Sequence, residues 1–286
     1  MNYALMAFRL KHQLGSLISS TRTAENLAQI FLTPKRFEIK DWEHKAEQQG
    51  RRFQLTPDIS AIRWGANNSE VEGNALENKQ ILLVHGWESR GTQLFGLIEG
   101  LVTKGYSVVA IDMPGHGHSK GETSNAYLFS QTVILAQQIL GHFHAIIGHS
   151  MGAGATSIAV GKGVNTDKMV LISGPSSIEN VLRHFTQFIG LNNKTTDHFI
   201  AAIGRHAGIA AKELDAAKLL QESDVPTLFI HDDADREVLY SESQRLSEVV
   251  KNSQFLTTQG LGHRKILKSD TVIKAITDFV SAESIG

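Results

Sequence analysis

No cysteine occurs in the 286 residues. That absence excludes disulfides, thiolate nucleophiles and thiolate metal sites together, and it suits a reducing compartment. No apolar run approaches the roughly 18 residues that a membrane-spanning helix needs. Met1 to Leu10 is largely apolar, but Arg9, Lys11 and His12 interrupt it before a signal-peptide core develops. Charge of one sign is missing too. The formal net charge of −1 gives no general pull toward nucleic acid or an anionic surface. Internal repeats and low-complexity segments are also lacking. These absences predict a soluble, cytoplasmic protein with no transmembrane segment and no nucleic-acid partner.

What is present is enough apolar material, 41% of the chain, for one large α/β domain or two small ones. Residues 1 to about 33 read as helix from the spacing of Leu5, Phe8, Leu14, Leu17 and Ile18, then Leu27, Ile30 and Phe31. Gly15 and the Ser19-Ser20-Thr21 cluster are expected to break it in two. A basic amphipathic helix is the kind that touches a membrane surface. Its few basic residues instead favour packing against its own domain or another subunit. Pro34 marks a boundary, and the reading is a helical extension over residues 1–35 ahead of a main domain over 36–286. Phe37 and Ile39, Phe53 and Leu55, and Ile59 to Gly65 form three strand-like stretches, an antiparallel edge.

The rhythm then changes. Gln80 to Val84, Ser107 to Ile111, Ala145 to Ile147, Met169 to Ile172 and Thr227 to Ile230 are short apolar runs. Helical stretches such as 92–104 and 125–141 separate them. Apolar strands alternating with helices predict a mostly parallel sheet covered on both faces, with ligands at the carboxyl ends of the strands. Residues 175–222 break the alternation and read as an inserted helical cap. His184, His198 and His206 within it are too scattered for a metal site, and ordinary cap or surface roles are expected.

Gly148-His149-Ser150-Met151-Gly152 follows one of the apolar runs and precedes Ala153-Gly154-Ala155. The pattern is strand, sharp turn and helix with a serine at the apex. Such a turn is strained by about 1–3 kcal/mol, and glycines on both sides admit the close approach of strand and helix. A serine nucleophile needs a base, and the base needs an orienting acid. His263, in Gly260-Leu261-Gly262-His263, lies after the final strand (about Gln254 to Thr258) and ahead of the last helix. Asp232, Asp233 and Asp235 follow Thr227 to Ile230, and composition alone does not rank them. The order serine, acid, histidine is that of the α/β-hydrolase arrangement.

Five motifs in order make the chain resemble the α/β-hydrolase superfamily, in its capped serine esterase-like branch. His85-Gly86-Trp87 resembles the oxyanion loop, and Asp112-Met113-Pro114-Gly115-His116-Gly117-His118-Ser119 the D-x-P-G-x-G-x-S loop. Gly148 to Gly152 is the nucleophile elbow. His231-Asp232-Asp233-Ala234-Asp235-Arg236-Glu237-Val238 resembles the H-G-x-x-D-x-x-V acid loop, and Gly262-His263 the histidine loop. The resemblance covers about residues 75 to 286, interrupted by the cap. It implies Ser150 as nucleophile, His263 as base and Asp235 as acid, with the backbone N–H groups of Met151 and Trp87 as oxyanion donors. Asp232 stands where a glycine is usual and Leu239 where a proline is, which leaves Asp233 open as the acid.

The implied reaction is hydrolysis of a small carboxylic ester, or a thioester, with an apolar group suggested by the Leu, Ile and Phe content of the cap. It requires no metal or organic cofactor. Acyl transfer or perhydrolysis would use the same residues. A serine at the elbow argues against the dehalogenase and epoxide-hydrolase branches, which carry aspartate there. The contrasting reading is a non-catalytic protein of the same fold that binds a small molecule or a partner. His149, His116 and Asp112 are expected to serve the local structure. Glu88 and Arg90 are expected to line the pocket or pair with a nearby charge, and Arg264 to lie in solvent. The oligomeric state is not readable from these residues.

Overall fold

The computed structural model describes residues 3–65 and 79–282. These form one eight-stranded sheet of β1 (Arg51–Thr56), β2 (Ile59–Trp64), β3 (Gln80–Val84), β4 (Ser107–Ile111), β5 (Phe143–His149), β6 (Thr166–Ile172), β7 (Thr227–Asp232) and β8 (Ser253–Thr258). The spatial order is β1-β2-β4-β3-β5-β6-β7-β8. β2 runs antiparallel to both β1 and β4, and the remaining pairs are parallel. The fold is the α/β-hydrolase sheet with antiparallel edge strands expected from the sequence.

The period-two geometry of a strand divides its apolar residues between two cores. Leu82, Val84, Ile146, Met169, Leu171 and Phe229 face one side, with the helices Ala126–Leu140 and Met151–Gly161. Ile81, Leu83, Ala145, Ile147, Val170 and Ile230 face the other, with Ile98–Thr103 and Asp270–Ser281. Burial on both faces is why these strands read as unbroken apolar runs rather than as alternating ones.

Between β6 and β7 lies the helical insert, mainly Ile178–Ile189 and Asn193–Ala207. Asn192 caps the second of these, its side chain accepting the N–H of Thr195 at 2.9 Å. The first ends at Gly190, left-handed at φ +79°. A Cβ at Gly190 would stand 2.4 Å from Gln13 Nε2, so this glycine also lets the first helix of the chain draw close.

Two expectations need correction. Residues 36–40 form no strand despite the alternation of Phe37 and Ile39. They run as an irregular arm whose hydrogen bonds go to side chains and loops. Arg36 donates to the carbonyls of Gly117, Ser119 and Gly121 at 2.5, 2.7 and 3.0 Å, and Arg90 donates to that of Phe37. Phe37 is itself exposed. Alternation without a neighbouring edge makes no strand.

The break in the first helical stretch falls at Ser19 alone. Gly15 stays inside Tyr3–Ile18, and Ser19 accepts the N–H of Arg22 at 3.3 Å to start Ser20–Leu32. The second of these helices packs on Asn193–Ala207, burying Leu27 and Ala28. The first turns Tyr3, Met6, Leu10, Leu14, Leu17 and Ile18 outward, so of the two expected coverings, its own domain or another subunit, its own domain does not cover these residues. Among the described residues no helix is long and apolar enough to cross a membrane.

Candidate active site

Ser150 is held at φ +55°, ψ −122° between β5 and the helix Met151–Gly161. Its N–H donates to Ile172 O at 2.9 Å, and its own carbonyl accepts the N–H groups of Ala153 and Gly154. Two glycines make the turn possible. A Cβ at Gly148 would lie 2.6 Å from Gly152 O, and one at Gly152 would lie 2.2 Å from Val84 O.

His263 sits in a single helical turn, Gly262–Lys265, rather than in an open loop. Gly260 and Gly262, at φ +75° and +63°, shape the approach to it. Its Nε2 is 2.9 Å from Ser150 Oγ, and its Nδ1 is 2.7 Å from Asp235 Oδ2. Asp235 Oδ1 accepts the N–H groups of Glu237 and Val238 at 2.8 and 3.1 Å. Burial alone would raise the proton affinity of Asp235. The hydrogen bonds of His231 and His263 outweigh it and hold the carboxyl well below the usual range. Asp233 is exposed and accepts a hydrogen bond from Gln259 Nε2 at 3.2 Å. The structure therefore brings Ser150, His263 and Asp235 together and leaves Asp233 outside.

Gly86 passes against the elbow, since a Cβ there would stand 3.1 Å from Ser150 Cβ. Trp87 comes next, and Met151 opens the helix, where backbone N–H groups have no intrahelical partner. Both line a small apolar cavity of about 20 Å³ together with Phe31, Leu182 and Ile203. The roof of that cavity comes partly from the insert and partly from Ser20–Leu32.

Two buried histidines brace the loop that carries Gly86 and Trp87. His85 Nε2 accepts the N–H of Met113 at 3.0 Å, so its proton lies on Nδ1 and donates to Gly86 O at 2.7 Å. His116 Nε2 accepts the N–H of Glu88 at 3.1 Å, and its Nδ1 donates to Pro114 O at 2.9 Å. Burial, followed by the neighbouring His85, pushes the pKa of His116 down to about 3. Asp112 accepts from the N–H groups of Gly91 and His118 and from Arg52. Arg90 pairs with Glu43 at 3.5 Å, and the exposed Arg264 with Glu237 at 3.1 Å.

Three more polar residues support the site through partners that the sequence did not reveal. His149 donates from Nε2 to the carbonyl of His263 at 2.9 Å, with its ring 4.7 Å from that of His263. Burial, then the charge of His263, pushes its pKa down to about 3. Asp232 accepts from Ala234 N, Thr258 Oγ1 and Leu261 N, tying the acid loop to the histidine loop. His231 is buried beside Asp235. The available signal was position: each is a polar residue at the end of an apolar strand, where a buried group must find a partner. The scattered cap histidines form no cluster. Among the described residues, no group of three or more His, Asp or Glu is arranged to hold a metal ion.

The family model described as the alpha/beta hydrolase family matches residues 81–265. The chain belongs to that family. A serine hydrolase-like protein of Dictyostelium discoideum is 30% identical over 149 residues, half of this chain and 36% of the relative. The chain thus spans about a third of the length of the curated relative that it matches. An esterase of Pyrococcus furiosus superposes with a TM-score of 0.61 at 18% identity, covering 87% of this chain and 96% of that one. A bromoperoxidase of Bacillus anthracis superposes with a TM-score of 0.60 at 19% identity, covering 82% and 100%. At such identities these two share the fold alone.

Proposed function

We propose that the protein is a serine hydrolase that cleaves a small carboxylic ester, or a thioester, with an apolar acyl group. The observation that carries this is the continuous hydrogen-bonded line from Ser150 Oγ through His263 to Asp235, at 2.9 and 2.7 Å. His263 Nε2 takes the proton of Ser150 as Oγ attacks the carbonyl carbon, and Asp235 stabilises the imidazolium. The N–H groups of Met151 and Trp87 receive the oxyanion. Removing one such donor in comparable sites costs about 2.7–4 kcal/mol of barrier stabilisation. The alkoxide or thiolate leaves with the proton from His263. Water, deprotonated by the same nitrogen, then attacks the acyl-enzyme and returns Ser150.

The apolar cavity beside Met151 and Trp87 is the acyl site in this reading. At about 20 Å³ it has room for roughly one water, so its roof side chains move aside when an acyl chain enters. Residues 36–286 then act as the hydrolase domain, residues 175–222 as its cap, and the helices of residues 1–35 as an addition to that cap.

Labelling with a fluorophosphonate probe tests the proposal. Wild type is expected to label and Ser150→Ala, equally folded, to remain blank. A folded wild type that neither labels nor turns over p-nitrophenyl esters would overturn it in favour of a binding protein.

A further inference from the structure

The helix Tyr3–Ile18 turns the more polar of its faces inward. Its buried residues are His12 and Ser16, and their polar atoms are bonded within the helix, His12 Nδ1 to Phe8 O and Ser16 Oγ to Gln13 O. Gln13 donates to Ile189 O at 2.7 Å and fixes that face on the insert. The outward face carries Tyr3, Met6, Leu10, Leu14, Leu17 and Ile18, with relative exposures from 52% to 88%. Steps of three and four residues place them in one stripe along the helix. Single exposed hydrophobes are ordinary, whereas a contiguous apolar row marks an interaction surface.

Charge identifies the occupant. The helix carries Arg9 and Lys11 and no Asp or Glu, and in the helix that follows Arg22 is exposed while Glu25 is paired with Arg205. A second copy of this chain would bring one positively charged face against another. An apolar stripe flanked only by cations matches acyl chains lying beneath anionic headgroups. Phe188 of the insert is half exposed, with Arg9 5.7 Å above its ring, so the apolar surface continues beyond the helix. Through Ser19 the helix also leads directly into Ser20–Leu32, whose Phe31 and Leu32 line the cavity beside the elbow.

We infer that Tyr3–Ile18 is a docking helix for an anionic lipid surface, lying parallel to it, with the outward stripe among the acyl chains and the basic residues among the headgroups. Docking there sets the roof of the acyl cavity at the lipid boundary. The helix does not span the bilayer, and the attachment is reversible and weakened by salt.

Flotation of the full chain with phosphatidylcholine vesicles, with and without phosphatidylserine, tests this. Wild type is expected to float with the phosphatidylserine vesicles, less with phosphatidylcholine alone, and less again in high salt. The triple variant Leu10→Glu, Leu14→Glu, Leu17→Glu is expected to lose roughly tenfold or more of the bound fraction while its circular dichroism is unchanged, because all three side chains are already exposed. A wild type that stays unbound with both vesicle types overturns the inference, as does a triple variant that floats as well as wild type. Sedimentation as a dimer that the variant dissociates, with no flotation, overturns it in favour of self-association. Ser150→Ala is expected to float like wild type, which separates this result from the fate of the hydrolase proposal.

Discussion

His231 Nε2 lies 3.3 Å from Oδ2 of Asp235, the oxygen that His263 Nδ1 reaches at 2.7 Å. The same Nε2 faces Val238 O at 3.0 Å, so with two acceptors before it this nitrogen carries the hydrogen. Its Nδ1 is bonded to Ser243 Oγ at 2.7 Å, which fixes the ring from the other side. One carboxylate oxygen thus serves two imidazoles, and only one of them reaches Ser150.

Losing the second imidazole should therefore loosen Asp235 without touching the substrate. A hydrogen bond to a charged group contributes about 1.5–3 kcal/mol, so His231→Leu is expected to lower kcat roughly ten- to a hundredfold with KM little changed. His231→Gln, which restores a donor, is expected to recover part of the loss. A folded His231→Leu enzyme with wild-type kcat would refute this role.

The two neighbouring acids should behave oppositely. Asp235→Asn is expected to lower kcat by about 10⁴-fold, as removal of the orienting acid does in comparable triads. Asp233→Asn, altering an exposed side chain bonded to Gln259, should stay within a factor of about two. Equal losses in the pair would return Asp233 to contention.

Buried neutral histidines make the fold sensitive to acid. His116 and His149 are pushed from 6.5 down to about 3, so below pH 6.5 the unfolded chain takes up protons that the folded chain refuses. Stability from these groups is thus unaffected above pH 6.5 and falls as the pH drops from 6.5 toward 3. At pH 4.5 the loss is roughly 2–3 kcal/mol per histidine. Urea unfolding midpoints should decline steadily over that range. In His116→Gln the decline should be shallower, and an unaltered slope would show that His116 is not one of the groups responsible.

Phe31 tests whether the cavity beside Trp87 and Met151 takes the acyl group, as proposed. Its ring packs on Phe185 and Phe199, with centroids at 5.0 and 5.6 Å, and lies 6.2 Å from Trp87. Phe31→Ala should enlarge the cavity and raise kcat/KM for octanoyl over acetyl p-nitrophenyl esters by roughly tenfold, at a stability cost of about 3 kcal/mol. An unchanged chain-length preference in the folded variant would remove Phe31 from the specificity site.

The parallel sheet was legible because β3 to β7 are buried on both faces and read as unbroken apolar runs. The elbow was legible because a strained turn between closely packed elements requires glycine at 148 and 152. Residues 36–40 misled because alternation records half-burial and says nothing of an edge to pair with. The outward stripe of Tyr3–Ile18 was hidden for a related reason. Periodicity shows that a helix has two faces, and a contact distant in sequence, such as that of Gln13 with Ile189, is needed to show which one turns in. Asp233 and Asp235 were inseparable by composition, because what distinguishes them is the direction of the loop. Asp232 was one of three candidate acids and His231 only a motif position, yet burial makes both of them partners of the neighbouring loops.

The roof shared between Ser20–Leu32 and the insert joins parts of the chain that are far apart in sequence. Gln13 meets Ile189 across 176 positions, and Glu25 meets Arg205 across 180. Closing so long a loop costs entropy that only a preformed partner surface repays, and contacts of large sequence separation form slowly. The sheet and the elbow can therefore assemble before the roof is seated. During refolding, the capacity to react with a small acylating probe should return ahead of discrimination between short and long acyl chains.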